Sequence, residues 1–133
     1  MFGFKSRNTK QIGDEAEQLA CQFLENQGLT LVESNYRIKG GEIDLVMRDN
    51  QHLVFIEIRY RSNNSFGSGA ESVDGRKQAR LIKAASVYLL EKSSQTTQPA
   101  RFDVMSISAA QPSSQSSSQL QPEIEWIKDA FQA

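Results

Sequence analysis

Residues 41–59 read GEIDLVMRDNQHLVFIEIR, which is two apolar runs separated by a short polar segment. Apolar runs of this length that are rich in Val, Ile and Phe are typical of β-strands, which we expect over 42–47 and 53–60. The polar residues at 49–52 suit a tight turn. The stretch therefore predicts a β-hairpin, and the rest of the fold is read outward from it.

The hairpin register decides which side chains share a face. With the turn centred between Asn50 and Gln51, Asp44 lies opposite Glu57, and Glu42 lies opposite Arg59. Because side chains alternate along a strand, these four share one face. That acidic face also carries Val46 opposite Phe55, whereas the other face pairs Ile43 with Ile58, Leu45 with Ile56 and Met47 with Val54. We expect the apolar face to pack against a helix.

Two carboxylates placed opposite each other repel, so Asp44 and Glu57 need a reason to be paired. A bound cation, a neighbouring Arg or Lys, or a raised pKa would relieve the repulsion. Mg²⁺ commonly binds one or two carboxylates and keeps several waters, and such an ion can activate water at a phosphodiester. The alternative is a plain cross-strand salt bridge between Glu42 and Arg59, with the two acids exposed to solvent. Both readings stay open from the hairpin alone.

The remaining elements surround this hairpin. Apolar residues at helical spacing predict a first helix from a cap at Asn8 to Gly28, and a second from about 74 to 90 with Ser72 or Asp74 as its N-cap. Further strands are expected over 29–36, 101–107 and 123–127, with a terminal turn at 129–131. This order predicts an α/β fold with a mixed central β-sheet flanked by helices, α-β-β-β-α-β-β.

Composition predicts one domain. The chain has 133 residues, of which 38% are apolar, and we assign 9–133 to a single domain and 1–8 to a flexible tail. A Ser- and Gln-rich stretch at about 110–121 is expected to be a disordered loop. One cysteine allows no internal disulfide, and the chain shows neither a signal peptide nor a membrane-spanning run. These features predict a soluble, cytoplasmic protein that does not bind membranes.

The net charge of −1 argues against a protein that coats nucleic acid by charge alone. Basic residues nevertheless cluster between 59 and 83, a stretch that contains six Arg and Lys residues but only two Asp and Glu residues. The candidate phosphate contacts in this region are Arg61, Arg76, Lys77 and Arg80. The alternative is a solvated helix face, which is the commoner meaning of a charge run.

Several motifs together resemble a known family. They are Gly13-x-x-x-Glu17-x-x-Ala20, Gly41-Glu42-Ile43-Asp44-Leu45, Val54-Phe55-Ile56-Glu57-Ile58-Arg59-x-Arg61, Lys77-x-x-Arg80-Leu81 and Arg101-Phe102-Asp103-Val104. Over about residues 9–131 this combination closely resembles the YraN-like family of bacterial proteins. That family is similar to the restriction-endonuclease-like superfamily, close to archaeal Holliday-junction resolvases, and the resemblance implies a restriction-endonuclease-like core.

The resemblance also implies a site. It assigns Glu17, Asp44, Glu57 and Arg59 to catalysis, with Asp44 and Glu57 as ligands of Mg²⁺ or Mn²⁺, and it implies branched or structured DNA as substrate and a homodimer as assembly. Arg59 stands where the superfamily usually has Lys, and an arginine cannot give up its proton to act as a base. The sequence therefore leaves two functions open: a weakened metal-dependent endonuclease, or a non-catalytic nucleic-acid or protein binding module that keeps the nuclease fold.

Overall fold

The computed structural model describes residues 9–61, 74–92, 99–108 and 123–133. Its elements follow the predicted order: α1 (Thr9–Asn26), β1 (Thr30–Ile38), β2 (Gly41–Asp49), β3 (His52–Arg61), α2 (Gly75–Lys92), β4 (Ala100–Ser108) and β5 (Glu123–Phe131). The expected flexible tail, the caps at Asn8 and Ser72, and the expected disordered loop at 110–121 lie outside these ranges. Neither of the two described helices has the length and apolar character needed to cross a membrane.

The five strands form one mixed sheet in the order β1-β2-β3-β4-β5. Neighbouring strands are antiparallel except β3 and β4, which run parallel. A parallel pair needs a crossover connection, and α2 lies in the chain between these two strands. The α/β class and the mixed sheet flanked by helices, both predicted from the hairpin outward, are confirmed.

Helix α1 covers one face of the sheet and ends where the sequence predicts. Its buried residues Ala16, Ala20 and Leu24 belong to a core cluster with side chains from β2, β3 and β4. Gly28 has a φ of 103°, a left-handed conformation that glycine adopts without steric cost. The Gly28 N–H donates to the Glu25 carbonyl at 3.0 Å and the Leu29 N–H to the Leu24 carbonyl at 3.1 Å, which is the Schellman arrangement.

Helix α2 covers the opposite face. Asp74 is its N-cap, because its Oδ1 accepts the Lys77 backbone N–H at 3.0 Å. The helix buries Leu81, Ala84, Ala85 and Tyr88. These side chains pack with Ile43, Val46, Phe55 and Phe102 of the sheet. The sheet is therefore covered by one helix on each side.

The predicted division of the hairpin into one apolar and one acidic face is partly wrong. Leu45 and Met47 pack on the α1 side as expected, but Ile43 packs on the α2 side together with Tyr36. Asn35, which lies between the pairs Ser34↔Leu45 and Tyr36↔Ile43, has a φ of 55°. This left-handed residue lies across from Asp44, so the regular alternation of faces is interrupted at Asp44 itself.

The start of β2 packs directly on the backbone of α2. A Cβ on Gly41 would lie 2.5 Å from the Arg80 carbonyl oxygen and 3.2 Å from the Ala84 nitrogen. Only glycine allows the strand and the helix to approach so closely. The contact holds the first turns of α2 beside the segment that carries Glu42 and Asp44.

The last strand is longer than predicted, and the expected terminal turn at 129–131 is wrong. β5 continues to Phe131, which pairs with Phe102 of β4 and stacks on its ring with the centroids 5.1 Å apart. Within the strand, Asp129 has a φ of 52°. Its N–H donates to Asp103 Oδ1 at 2.9 Å, so a long-range hydrogen bond keeps the bent backbone in the sheet.

Candidate metal and phosphate site

The candidate site lies where β2 and β3 separate. Their pairing follows the predicted register from Asp49↔His52 to Leu45↔Ile56. Beyond that pair, the side chain of Asp44 reaches across the gap, and its Oδ2 accepts the Ile58 backbone N–H at 2.8 Å. The predicted register is thus confirmed up to Leu45, and the two acids that follow stand at an opening between strands rather than in a closed ladder.

A pocket of about 330 Å³ opens at this point on the α2 side. We call it the cationic pocket, and its lining consists of Glu42, Asp44, Glu57, Ile58, Arg59, Lys77 and Arg80. Three of the four residues predicted to be catalytic, Asp44, Glu57 and Arg59, therefore share one cavity. Two of the four predicted phosphate contacts, Lys77 and Arg80, share it with them.

The fourth predicted catalytic residue reaches Asp44 from the other side. Glu17 of α1 lines a second pocket of about 260 Å³, which we call the α1 pocket and which also includes Asp44 and Ile58. Asp44 and Ile58 thus form the wall between the two pockets. Glu17 lies close enough to raise the pKa of Asp44, but it does not line the cavity that holds Glu57.

Burial and neighbouring charges oppose ionisation of both acids. Loss of hydration, together with the negative charges of Glu42 and Glu17, raises the pKa of Asp44 to about 6. The hydrogen bond from the Ile58 N–H and the positive charge of Arg37 offset part of this rise in pKa. Loss of hydration, followed by the charge of Asp44, raises the pKa of Glu57 to about 7 despite Arg59 and Lys77. Both side chains are partly buried, so the exposure to solvent that the alternative expected is wrong.

The donor set fits one hard divalent cation. Within the described ranges, the His, Cys, Asp and Glu side chains form no group of three or more placed to hold a metal. Mg²⁺ does not need such a group, because it usually takes one or two carboxylates and retains waters. Asp44 and Glu57 supply two partly buried carboxylates that repel each other, which is the arrangement that a cation would relieve.

Not all predicted phosphate contacts meet here. Lys77 and Arg80 each lie four residues before a buried residue of α2, Leu81 and Ala84 respectively, and therefore share their face of the helix. This face packs on the sheet, so its first turns bring both basic side chains next to the acids. Arg76 is exposed one helical turn before Arg80, and neither Arg76 nor Arg61 lines the cationic pocket. Helical periodicity does not separate Arg76 from Arg80, because the two are four residues apart on the helix. Only the tertiary structure shows that Arg76 lies outside the pocket.

Two further residues belong to the surroundings of Asp44. Glu42 lines the cationic pocket, and Arg37 lines the α1 pocket and lowers the pKa of Asp44 by its charge. Arg37 pairs with Glu42 across β1 and β2. Sequence analysis did not find Arg37, because the pairing of β1 with β2 contains a register shift between Leu31 and Glu33 that the residue pattern does not reveal.

Comparison with known proteins gives a consistent family. The sequence profile of the "Uncharacterised protein family UPF0102" matches residues 16–107. A UPF0102 protein of Pseudomonas putida (strain W619) is 45% identical over 120 residues, which is 90% of this chain and 92% of the relative. A UPF0102 protein of Hahella chejuensis is 54% identical over 94 residues, or 71% of this chain and 75% of the relative. One from Nitrosococcus oceani is 44% identical over 119 residues and 90% of both chains.

Proposed function

This chain belongs to the UPF0102 family, the YraN-like proteins, and we propose that it is a metal-dependent phosphodiesterase that acts on DNA. One observation carries the proposal: Asp44 and Glu57, two partly buried carboxyl groups with raised pKa values, share a single pocket with Arg59, Lys77 and Arg80. The acids suit a divalent cation and the three basic side chains suit phosphate oxygens. A surface made only to bind DNA gains nothing from repelling carboxylates beside a phosphate.

Each group has a distinct part in this proposal. Asp44 and Glu57 would hold Mg²⁺ or Mn²⁺, which supplies charge neutralisation at the phosphate and makes water more acidic. The Ile58 N–H fixes the orientation of the Asp44 carboxylate through its 2.8 Å hydrogen bond. Lys77 and Arg80 project from α2 towards the same cavity, where their charge would bind phosphate oxygens and stabilise the negative charge that builds up during hydrolysis.

Arg59 limits the rate that this site can reach. A guanidinium binds phosphate through two parallel N–H groups, but it does not lose a proton near neutral pH and therefore cannot serve as a base. We accordingly propose slow, strictly metal-dependent cleavage. The resemblance to junction resolvases supports branched or structured DNA as the substrate and a homodimer as the active assembly.

The first test exchanges Arg59. Arg59→Lys puts an amine at the position where the resemblance expects one. We expect Mg²⁺-dependent cleavage of four-way DNA junctions to rise about tenfold, or at least not to fall. The reason is that a positioned proton-transfer group contributes about 10²–10⁴-fold to the rate. The measurement is single-turnover cleavage in Mg²⁺ and in Mn²⁺, with single-stranded and duplex DNA in parallel. Arg59→Met is the matched control, because it keeps the length of the side chain without its charge.

The outcome separates the two functions that the sequence left open. If Arg59→Lys weakens DNA binding without any gain in cleavage, Arg59 holds phosphate and the chain is a binding module. If neither protein cleaves any of the three DNA forms with either metal ion, the enzyme is excluded and the binding module stands.

A second test addresses DNA binding by α2. We expect Lys77→Ala combined with Arg80→Ala to weaken binding of all DNA sequences alike, by about tenfold at low salt, because phosphate contacts carry affinity without sequence preference. Arg76→Ala is the matched control on the same helix turn, and since Arg76 does not line the pocket, it should have a much smaller effect. Fluorescence anisotropy at several salt concentrations measures both the affinity and its salt dependence. Equal losses from Arg76→Ala and from the double change would mean that the helix attracts DNA only by its overall charge.

A further inference from the structure

The proposed reaction leaves the α1 pocket without a role. This pocket of about 260 Å³ adjoins the cationic pocket along Asp44 and Ile58 but opens on the α1 side of the sheet. Its lining combines an aromatic ring, an amide, basic side chains and acids, namely Lys10, Gly13, Asp14, Ala16, Glu17, Asn35, Arg37, Asp44, Ile58 and Tyr60.

Gly13 indicates that the space in this pocket is needed. It lies inside α1, where glycine is the poorest helix former after proline. Packing does not require it, since a Cβ built on Gly13 meets nothing within 4 Å. Backbone conformation does not require glycine here either. Among the described glycines, Gly28 and Gly40 have a positive φ and Gly13 does not. Gly13 lines the pocket, so a long side chain at this position would extend into the open space there.

Tyr60 gives the chemistry of an occupant. It is an aromatic side chain at the end of β3, yet 40% of its surface is exposed, and it lines the pocket beside Ile58. An exposed ring next to a phosphate-binding cavity is the usual platform on which an unstacked base rests. Asn35 offers an amide that can donate to and accept from a base edge, and Arg37 provides positive charge beside it.

We propose that the α1 pocket receives an unpaired nucleobase next to the phosphate bound in the cationic pocket, with Tyr60 stacking on the base and Gly13 keeping the space open. The inference rests on the proposed function and adds a requirement for unpaired DNA. The two pockets meet at Asp44, so one nucleotide strand that passes this residue contacts both. A base within a duplex is stacked between its neighbours and must leave the stack before it can enter such a pocket.

The test compares two DNA probes in EDTA, where cleavage does not interfere. One is a blunt duplex, and the other is the same duplex with a single-stranded thymidine tail. We expect Tyr60→Ala and Gly13→Leu to weaken binding of the tailed duplex about tenfold, in keeping with the measured value of base stacking on aromatic side chains, and to leave blunt-duplex binding unchanged. Tyr60→Phe, which keeps the ring, should bind both probes as the original protein does.

Two controls keep the result independent of folding. Gln18→Leu adds the same side chain as Gly13→Leu at an exposed position of α1 that does not line the pocket, and it should change neither affinity. Leucine favours a helix more than glycine does, so Gly13→Leu should melt at the same temperature as the original protein or higher. A more stable protein that has lost tail binding would show that the pocket itself is needed.

Other results would overturn the inference. An equal loss for both probes would mean that Gly13 and Tyr60 support a general phosphate contact, and no loss for either would mean that the pocket stays empty; in both cases the proposed function would stand. If the unaltered protein binds neither probe in EDTA, the comparison is repeated in Mg²⁺, where cleavage is proposed to be slow. If it binds neither probe there either, the proposed function fails together with this inference.

Discussion

Asp44→Asn is expected to make the metal-free protein more stable at pH 8 and to flatten the dependence of its stability on pH. Folding raises the pKa of Asp44 to about 6 and that of Glu57 to about 7. The folded state therefore holds protons that the unfolded chain has already released. A group with a raised pKa stabilises the fold fully below its unfolded pKa of about 4, and this contribution is lost as the pH rises through the folded pKa.

The magnitude follows from the size of these shifts. Two pKa units correspond to about 3 kcal/mol for one acid, so with two acids shifted the unfolding free energy of the original protein should fall by more than about 3 kcal/mol between pH 4 and pH 8 in EDTA. The contributions of the two acids are not additive, because each includes their mutual repulsion. Asparagine keeps an oxygen for the Ile58 N–H but carries no charge. Asp44→Asn should therefore remove the part of the decline due to Asp44 and its repulsion of Glu57, and should leave the part due to the burial of Glu57.

Urea unfolding at pH 5 and pH 8 measures this effect. Glu125→Gln, at an exposed position of β5, is the matched control and should leave the pH dependence as it is. Mg²⁺ or Mn²⁺ should stabilise the original protein at pH 8 and should not stabilise Asp44→Asn, and calorimetric titration should show one site in the former and none in the latter. If Asp44→Asn is the less stable protein at pH 8 in EDTA, the two acids do not oppose each other as claimed.

The largest loss of stability is expected from Asp103→Ala. Asp103 is fully buried and accepts hydrogen bonds from Arg101 Nε at 3.0 Å, from Trp126 Nε1 at 2.9 Å and from the Asp129 N–H at 2.9 Å. Arg101 in turn donates to Asp49 Oδ2 at 3.0 Å. Removing the carboxylate leaves the partly buried guanidinium with Asp49 as its remaining partner and leaves two N–H groups without their acceptor.

Breaking a buried ion pair from one side typically costs about 3–5 kcal/mol, which is a large part of the total stability of a domain of this size. Asp103→Asn keeps an acceptor without the charge and should cost less. Asp49→Ala is the matched control, because Asp49 touches the same arginine from a more exposed position and should cost about 1 kcal/mol or less.

The midpoint of urea unfolding measures this loss of stability. The metal affinity of the folded fraction should not change, because Asp103 lines neither pocket of the candidate site. A loss below about 1 kcal/mol for Asp103→Ala would show that β4 and β5 hold together without this network. The family motif around Asp103 would then need an explanation other than stability.

Features that depend on neighbouring residues could be predicted from the sequence. The end of α1 at Gly28, the cap of α2 at Asp74 and the register of the hairpin up to Leu45 all result from hydrogen bonds and alternation within a few residues. The same register placed Asp44 opposite Glu57. The strands separate before that pair, and the two acids nevertheless line one cavity. The roles assigned to Glu17 and Arg59 needed the family resemblance, since nothing in their local sequence distinguishes them from solvated side chains.

The tertiary structure decided what depends on residues distant in the chain. The alternation of β2 is interrupted at Asp44, across from the left-handed Asn35 of β1, and Ile43 packs on the α2 side, although the pattern of β2 alone places it with Leu45. Asp103 reaches across to Asp129 and extends β5 to Phe131, where the local sequence favours a turn. The close contact of Gly41 with the α2 backbone aims Lys77 and Arg80 at the acids and leaves Arg76 outside. Local sequence determines the hydrogen bonds of each element, but only the packing of distant elements determines which side chains face one another.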